Sequence, residues 1–286
     1  MTDLVHFPLE GLRRAGATLR VEALAHGVLR IVLARPEVRN AFNAQMIQEL
    51  ARALEDLAAL PEAALRLLLL EGEGTVFCAG ADLAYMREQA TAGSGANLES
   101  ARELGRMFRT LAGFPVPVVS FVRGAAIGGG MGLAVCSDFV LAEPQALFAT
   151  SEVRLGLVPA VISPYVVRKL GLAHAAPLML TGRRIQAREG LVSGLVQRLV
   201  DPGEPCEAAL SRVLREFLAA GPQAARATRE LLARIAPLPG PELFERTAAA
   251  IAAARASAEG QAGLGAFFQR TAPGWVHPLP VPEQKA

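Results

Sequence analysis

The sequence has little cysteine, and this shortage excludes two kinds of site. Only three cysteines occur in 286 residues, at Cys78, Cys136 and Cys206. An odd number of widely separated cysteines forms neither a disulfide framework nor a metal-binding spacing, and it favours a reducing compartment. We therefore expect small apolar side chains at these positions, and no bound metal.

Histidine and lysine are also scarce. Four histidines are present, and none lies in the glycine-rich segments described below, which argues against a histidine base, a catalytic triad or a histidine-ligated metal. The positive side chains are almost all arginine, whose planar fork suits phosphate and carboxylate groups. The residues concerned are His6, His26, His174, His277, Lys169 and Lys285.

The chain carries almost no net charge. Its 29 Lys and Arg residues against 27 Asp and Glu residues give +2, and 52% of residues are hydrophobic. Such a hydrophobic content excludes a disordered chain. A nucleic-acid-binding protein usually has a basic excess, so no nucleic-acid partner is expected.

Long apolar runs are missing as well. The longest uncharged stretch, 124–137, is interrupted by glycines and is shorter than the roughly 20 residues of a membrane-spanning helix. Residues 1–10 lack the basic and apolar regions of a secretory signal. We expect a soluble, cytoplasmic protein without a membrane partner.

The first 200 residues alternate strand-like and helix-like patterns. Apolar residues recur at helical spacing in 43–57, whereas several other segments are short, almost wholly apolar runs typical of buried strands. This alternation predicts an α/β fold. The predicted strands cover 18–24, 28–33, 65–70, 116–122, 139–142 and 147–149.

The remainder of the chain reads as helix. Gly and Pro residues separate its segments, and broad Ala/Leu faces favour packing against another subunit. The Pro-rich tail 273–286 is expected to be loosely ordered. The predicted helices cover 207–219, 222–235, 241–258 and 260–270.

Two glycine-rich segments follow predicted strands and precede predicted helices. They are Val76–Leu83 (VFCAGADL) and Gly124–Gly132 (GAAIGGGMG). A loop that opens a helix leaves free N–H groups, and glycine lets other atoms approach the backbone closely. Two such loops side by side would supply two N–H donors to one oxygen, as stabilisation of an oxyanion requires.

Other readings of these glycines were weighed. Taken singly, each segment is also explained by tight helix–strand packing. A dinucleotide site is disfavoured because no G-x-G-x-x-G precedes an acidic residue at the right distance, and no Gly-Lys-Ser/Thr exists for a phosphate loop.

Four motifs, in order, resemble the crotonase superfamily of enoyl-CoA hydratases and isomerases over residues 28–200. The first two are R-P-x-x-x-N-A-F from Arg35 and F-x-A-G-A-D-L from Phe77. The others are G-x-x-x-G-G-G from Gly124, followed by a Cys-Ser-Asp at 136–138, and F-x-x-x-E-x-x-x-G-x-x-P from Phe148.

The resemblance implies a spiral of ββα repeats over residues 1–200, which holds the CoA and acyl sites, and a helical trimerisation region over 201–286. It implies an acyl-CoA thioester substrate, no separate cofactor, and a homotrimer or a dimer of trimers. It also implies that Ala81 and Gly129 donate their N–H groups to the thioester oxygen. Other residues implied to bind the substrate are Arg35, Arg39, Ala41, Ala79, Gly80, Asp82, Leu83, Gly128, Ser151 and Pro159.

The acid–base residue implied by the resemblance is Glu152. Well-known hydratases of the family use a second glutamate, but Gly132 occupies the matching position. A single carboxylate is able to deprotonate water and then protonate the α-carbon. We therefore expect a hydratase that uses one glutamate; the alternative is an enoyl-CoA isomerase in which Glu152 carries a proton between two carbons.

The segment 159–165 (PAVISPY) resembles the branch that acts on methylglutaconyl-CoA and isohexenylglutaconyl-CoA. A substrate with a distal carboxylate would need a polar partner, for which Arg154, Ser163 and Tyr165 are candidates. A different function, RNA binding by a catalytically weak member, also stays open, although the balanced charge disfavours it.

Overall fold

The computed structural model describes residues 13–236, 238 and 240–276. Predictions that involve His6, His277, Lys285, residues 1–10 or the tail beyond 276 lie outside these residues. The described part contains ten strands and ten α-helices, in the order expected of an α/β fold.

The strands fall into two sheets. A seven-stranded sheet has the order β1-β2-β3-β4-β5-β7-β10, and a three-stranded sheet has the order β6-β8-β9. The strands β1 to β10 are, in chain order, Arg13–Ala15, Leu19–Ala23, Val28–Leu33, Leu67–Gly72, Val118–Val122, Ala125–Ile127, Phe139–Ala142, Leu147–Ala149, Ile185–Gln186 and Arg198–Leu199.

The helices alternate with these strands in the first two thirds of the chain and follow one another at the end. The helices α1 to α10 are, in chain order, Ala44–Ala58, Leu83–Thr91, Ser94–Ala112, Gly129–Cys136, Ser163–Thr181, Ala187–Val192, Cys206–Leu218, Pro222–Ile235, Pro241–Ala256 and Ala258–Gln269.

The large sheet forms the centre of the core. Its strands β3, β4, β5, β7 and β10 run parallel, whereas β1 to β3 form an antiparallel meander. Every residue of β4 and β5 is buried, because both faces of the sheet are covered. Helix α1 contributes the apolar face that its spacing predicted, and the Asn43 side chain caps it by accepting a hydrogen bond from the N–H of Met46.

The small sheet positions the glycine-rich loops. Strand β6 pairs in parallel with β8, and Cys78 pairs in parallel with Ala126 of β6. Three chain segments therefore leave the sheet side by side and in the same direction. The residues that follow them are Gly80, Gly128 and Ser151, so the three motifs meet at one edge.

The last two helices cover this edge. Helix α9 packs against α3, and α10 packs against α9 and the 3-10 segment Ser151–Leu155. Two helices predicted over 241–258 and 260–270 are confirmed, with a break at Ser257, whose hydroxyl accepts from the N–H of Gly260 and caps α10. Within the described ranges, no helix is both long and apolar enough to cross a membrane.

Candidate active site

The first glycine-rich loop ends in a free backbone donor. Gly80 has a φ of 95°, which favours glycine and turns the chain before α2. The next N–H, that of Ala81, donates no hydrogen bond to any residue that the structure describes. Asp82 then begins α2 by accepting from the N–H of Ala84, as the sequence predicted, and it pairs with Arg35 at 2.9 Å.

The second glycine-rich loop also ends in a free donor. Gly128 has a φ of 52° and precedes Gly129, the first residue of α4. The first N–H groups of a helix have no partner within it, and that of Gly129 has none elsewhere in the described chain. A Cβ at Gly129 would lie 2.4 Å from the ring of Phe42, so this ring holds the loop from behind.

The two loops touch each other. A Cβ built on Gly80 would lie 2.9 Å from the carbonyl oxygen of Ile127 and 4.0 Å from Cα of Gly128. Only glycines permit this approach, and it places the N–H groups of Ala81 and Gly129 on the wall of one cavity. Two convergent backbone donors are the arrangement that stabilises a developing oxyanion.

Glu152 lies beside this pair of donors. Its Oε1 atom would be 3.4 Å from a Cβ on Gly128, and its buried Oε2 atom has no hydrogen-bond partner. Burial raises the pKa of Glu152 from its ordinary value of 4.5 to about 7, against a smaller effect of a backbone hydrogen bond. A carboxyl group that titrates near neutral pH is suited to both accept and donate a proton.

The position of the missing second glutamate is filled by apolar side chains. A Cβ on Gly132 would lie 2.6 Å from Cγ2 of Ile162 and 2.7 Å from the ring of Phe108. Both side chains are buried in the main core. No room for a carboxylate remains at Gly132, so Glu152 acts without a partner from this helix.

We expect Gly132→Glu to destabilise the protein without increasing its activity. Overpacking a core typically costs about 1–3 kcal/mol, and burying an unpaired carboxylate adds to that cost. Gly132→Ala should also lower the free energy of unfolding, despite the better helix propensity of alanine. Denaturant unfolding of both variants measures these losses.

The matched control is Gly265→Ala in α10, where a Cβ would meet no atom within 4 Å. This variant should be as stable as the wild type or about 0.5–1 kcal/mol more stable. A stable Gly132→Glu variant with faster turnover would contradict the packing described for Gly132.

A cavity of 1040 Å³ runs along these loops. It brings together all of the predicted site residues except Arg35, whose guanidinium instead donates to the Ala41 carbonyl and pairs with Asp82. Arg35 therefore ties the first motif to the second from behind the cavity. The predicted residues on its wall are Arg39, Ala41, Ala79, Gly80, Ala81, Asp82, Leu83, Gly128, Gly129, Ser151, Glu152 and Pro159.

Two of the three candidate partners for a distal carboxylate lie away from the cavity wall. The Ser163 hydroxyl donates to the carbonyl oxygen of Ala160, and Tyr165 packs in the core against Phe108. Arg154 does line the cavity, but its Nε donates to the carbonyl oxygen of Thr181.

Sequence reasoning missed two polar residues on the cavity wall, Gln89 of α2 and Arg255 of α9. It also missed Phe42, which supports the second loop. Arg255 lies in the alanine-rich stretch 248–256, where a single charged side chain on a small-residue helix was the available signal.

Comparisons with known proteins agree with this geometry. The family model described as "Enoyl-CoA hydratase/isomerase" matches residues 23–278. The chain is 36% identical over 220 residues to the human mitochondrial enoyl-CoA hydratase domain-containing protein 2, with 74% of this chain and 73% of that protein covered. It is 32% identical over 211 residues to the enoyl-CoA isomerase/hydratase fer4 of Mycosarcoma maydis, with 71% and 76% covered.

A solved enoyl-CoA hydratase from Shewanella pealeana superimposes with a TM-score of 0.72 and 38% identity, covering 90% of this chain and 96% of that one. The α/β crotonase-like fold predicted from the motifs is thus confirmed. With its two free backbone donors, its buried glutamate and these relatives, the chain belongs to the enoyl-CoA hydratase/isomerase family, the crotonase superfamily of enzymes that act on acyl-CoA thioesters.

Proposed function

We propose that this enzyme adds water to, or removes it from, a 2-enoyl-CoA thioester, with Glu152 as its only acid–base group. The observation that carries the proposal is the position of the Glu152 carboxyl beside the free N–H groups of Ala81 and Gly129. A thioester oxygen that accepts from both donors takes up the charge that develops during the reaction.

The hydration step balances with one carboxylate. Ionised Glu152 takes a proton from water while the water oxygen bonds to C3 of the enoyl group. The C2–C3 electron pair shifts toward the thioester, and the enolate oxygen is held by the two backbone donors. Protonated Glu152 then returns its proton to C2, so that one water is added and the carboxylate is regenerated.

Coenzyme A would enter from the side of Arg39. Arg39 and Arg270 are exposed on the cavity rim, and neither forms an ion pair with any residue of the described chain. Arginine binds phosphate through its planar fork, so both are available to the phosphates of the cofactor part of the substrate. Arg35 is already paired and would act by holding the loop that presents Ala41.

A double-bond isomerase is the second candidate. It is favoured by the apolar filling at Gly132, because moving a proton between two carbons requires one carboxylate and no positioned water. Here Glu152 would remove a proton from C4 of a 2-enoyl-CoA and return it to C2, through the same enolate.

Incubation with 2-enoyl-CoA substrates in heavy-oxygen water separates the two reactions. We expect label to enter a 3-hydroxyacyl-CoA product, as mass spectrometry would show. A 3-enoyl-CoA product without oxygen label would replace hydration by isomerisation. Turnover of neither kind, with the protein folded, would remove both candidates.

The substrate branch and the assembly are finer proposals. The segment 159–165 supports a methylglutaconyl-CoA-like substrate, and a cytoplasmic location stays a prediction. A homotrimer or dimer of trimers is supported by large apolar side chains that are exposed in the single chain. The most exposed of these are Leu172, Leu180, Val192 and Ile235, at 68–81%.

A further inference from the structure

Arg255 presents an unsatisfied positive charge to the cavity. It lies near the end of α9 and lines the cavity wall, and its Nη1 atom is buried without a hydrogen-bond partner. No carboxylate of the described residues pairs with it. Burial also lowers the pKa of Arg255, against a smaller opposing effect of Tyr85.

Other arginines that are largely covered in this protein have partners. Arg35 pairs with Asp82, and Arg229 pairs with Asp138 at 2.8 Å while it also donates to the Ala112 carbonyl. Leaving a buried donor of a charged group unpaired is costly. Arg255 therefore lacks a partner that the chain itself does not supply.

Gln89 lies on the same cavity wall with a similar deficit. It is 9% exposed, and its Oε1 atom has no partner. The neighbouring Tyr85 hydroxyl is already bonded to the Ser100 hydroxyl at 2.6 Å, so it does not serve Gln89. A half-turn of the amide exchanges its oxygen and its NH2 group, which lets Gln89 either accept or donate.

The distance along α2 relates these two side chains to the reacting carbons. Asp82 caps this helix next to the Ala81 donor, and Gln89 lies seven residues further on, or about 10 Å at the rise of an α-helix. The wall between is lined by Met86, Leu104 and Ile251. An apolar stem of a few carbons with a polar end fits this sequence of surfaces.

We propose that Arg255 is a specificity-determining residue that binds a carboxylate at the far end of the acyl chain, with Gln89 as a second hydrogen-bond partner. The inference rests on the proposed function, because it places the thioester carbonyl at Ala81 and Gly129. A carboxylate supplies both the charge and the acceptor atoms that Arg255 lacks. The substrate class is thus a 2-enoyl-CoA whose acyl chain carries a distal carboxylate.

The test compares two substrates with the same number of acyl carbons, glutaconyl-CoA and 2-pentenoyl-CoA. The wild type should have the higher kcat/KM for glutaconyl-CoA. Arg255→Met keeps the length of the side chain without its charge, and it should lower kcat/KM for glutaconyl-CoA by about 10- to 100-fold. Its kcat/KM for 2-pentenoyl-CoA should change less than about threefold.

A matched control and a stability readout separate binding from folding. Arg102→Met removes an exposed arginine that joins α3 to Glu245 of α9, and it should leave the substrate preference unchanged. Arg255→Met should keep or raise the Tm, since it removes an unpaired buried charge. Arg255→Lys should restore part of the glutaconyl-CoA activity.

Equal losses on both substrates, or no preference in the wild type, would overturn the role of Arg255 while leaving the proposed function standing. Absence of turnover with both substrates in the wild type would instead remove the proposed function and, with it, the present inference.

Discussion

Glu152→Gln is expected to reduce kcat by about 10²- to 10⁴-fold, the range typical of a lost general acid–base group. Glutamine keeps the shape of the side chain but neither takes nor returns a proton. Because the pKa of Glu152 is raised to about 7, the wild-type rate should increase with pH through this value as the carboxylate forms. The remaining activity of the variant should show no such step.

Steady-state kinetics between pH 5 and 9 measure both effects. Glu55→Gln is the control, because Glu55 is exposed on α1 and its replacement should change neither the rate nor the profile. A Glu152→Gln variant with wild-type kcat would exclude Glu152 as the acid–base group and remove the mechanism proposed here.

The same substitution should stabilise the protein at alkaline pH. Glu152 has a pKa of about 7 in the folded chain and an ordinary value of 4.5, so folding takes up a proton between these values. Wild-type stability therefore falls as pH rises from 4.5 to 7, by at most about 3 kcal/mol. Glu152→Gln escapes this loss, and its advantage in free energy of unfolding should be larger at pH 8 than at pH 5.

Ala81→Pro is expected to lower kcat by about 10²- to 10³-fold, as is typical when one oxyanion donor is removed. Proline has no N–H, so the thioester oxygen would retain only the donor of Gly129. Ala81 is exposed on the cavity wall and already carries a Cβ. Its own N–H makes no hydrogen bond within the described chain that the substitution would break.

Ala81→Ser is the matched control, because it changes the side chain and keeps the N–H; its kcat should stay within a few-fold of the wild type. Circular dichroism and Tm must show both variants folded. The equivalent substitution at Gly129 is less informative, since any Cβ there meets the Phe42 ring at 2.4 Å and disturbs the packing as well as the donor. Full activity in a folded Ala81→Pro variant would contradict the oxyanion role.

Local patterns in the sequence predicted the regular elements well where one face had a clear period. Helix α1 shows its apolar positions at helical spacing, and β7, β8 and α8 have the bounds that their patterns predicted. Helices α3 and α5 were not identified, because their buried faces contain small or polar residues such as Asn97, Ser100 and Gly105. Such residues give no apolar period, although tertiary contacts bury them.

The sequence by itself determined which residues face the substrate. The glycines at 80, 128 and 129, the free donors that follow from them, and Glu152 all come from short motifs whose backbone geometry is set locally. The structure alone decided what surrounds these groups. Ile162 and Phe108 close the space at Gly132, Arg35 turns to Asp82, and Arg255 reaches the cavity from a helix more than a hundred residues away. These relations depend on side chains that meet through packing between distant segments, and no local pattern carries that information.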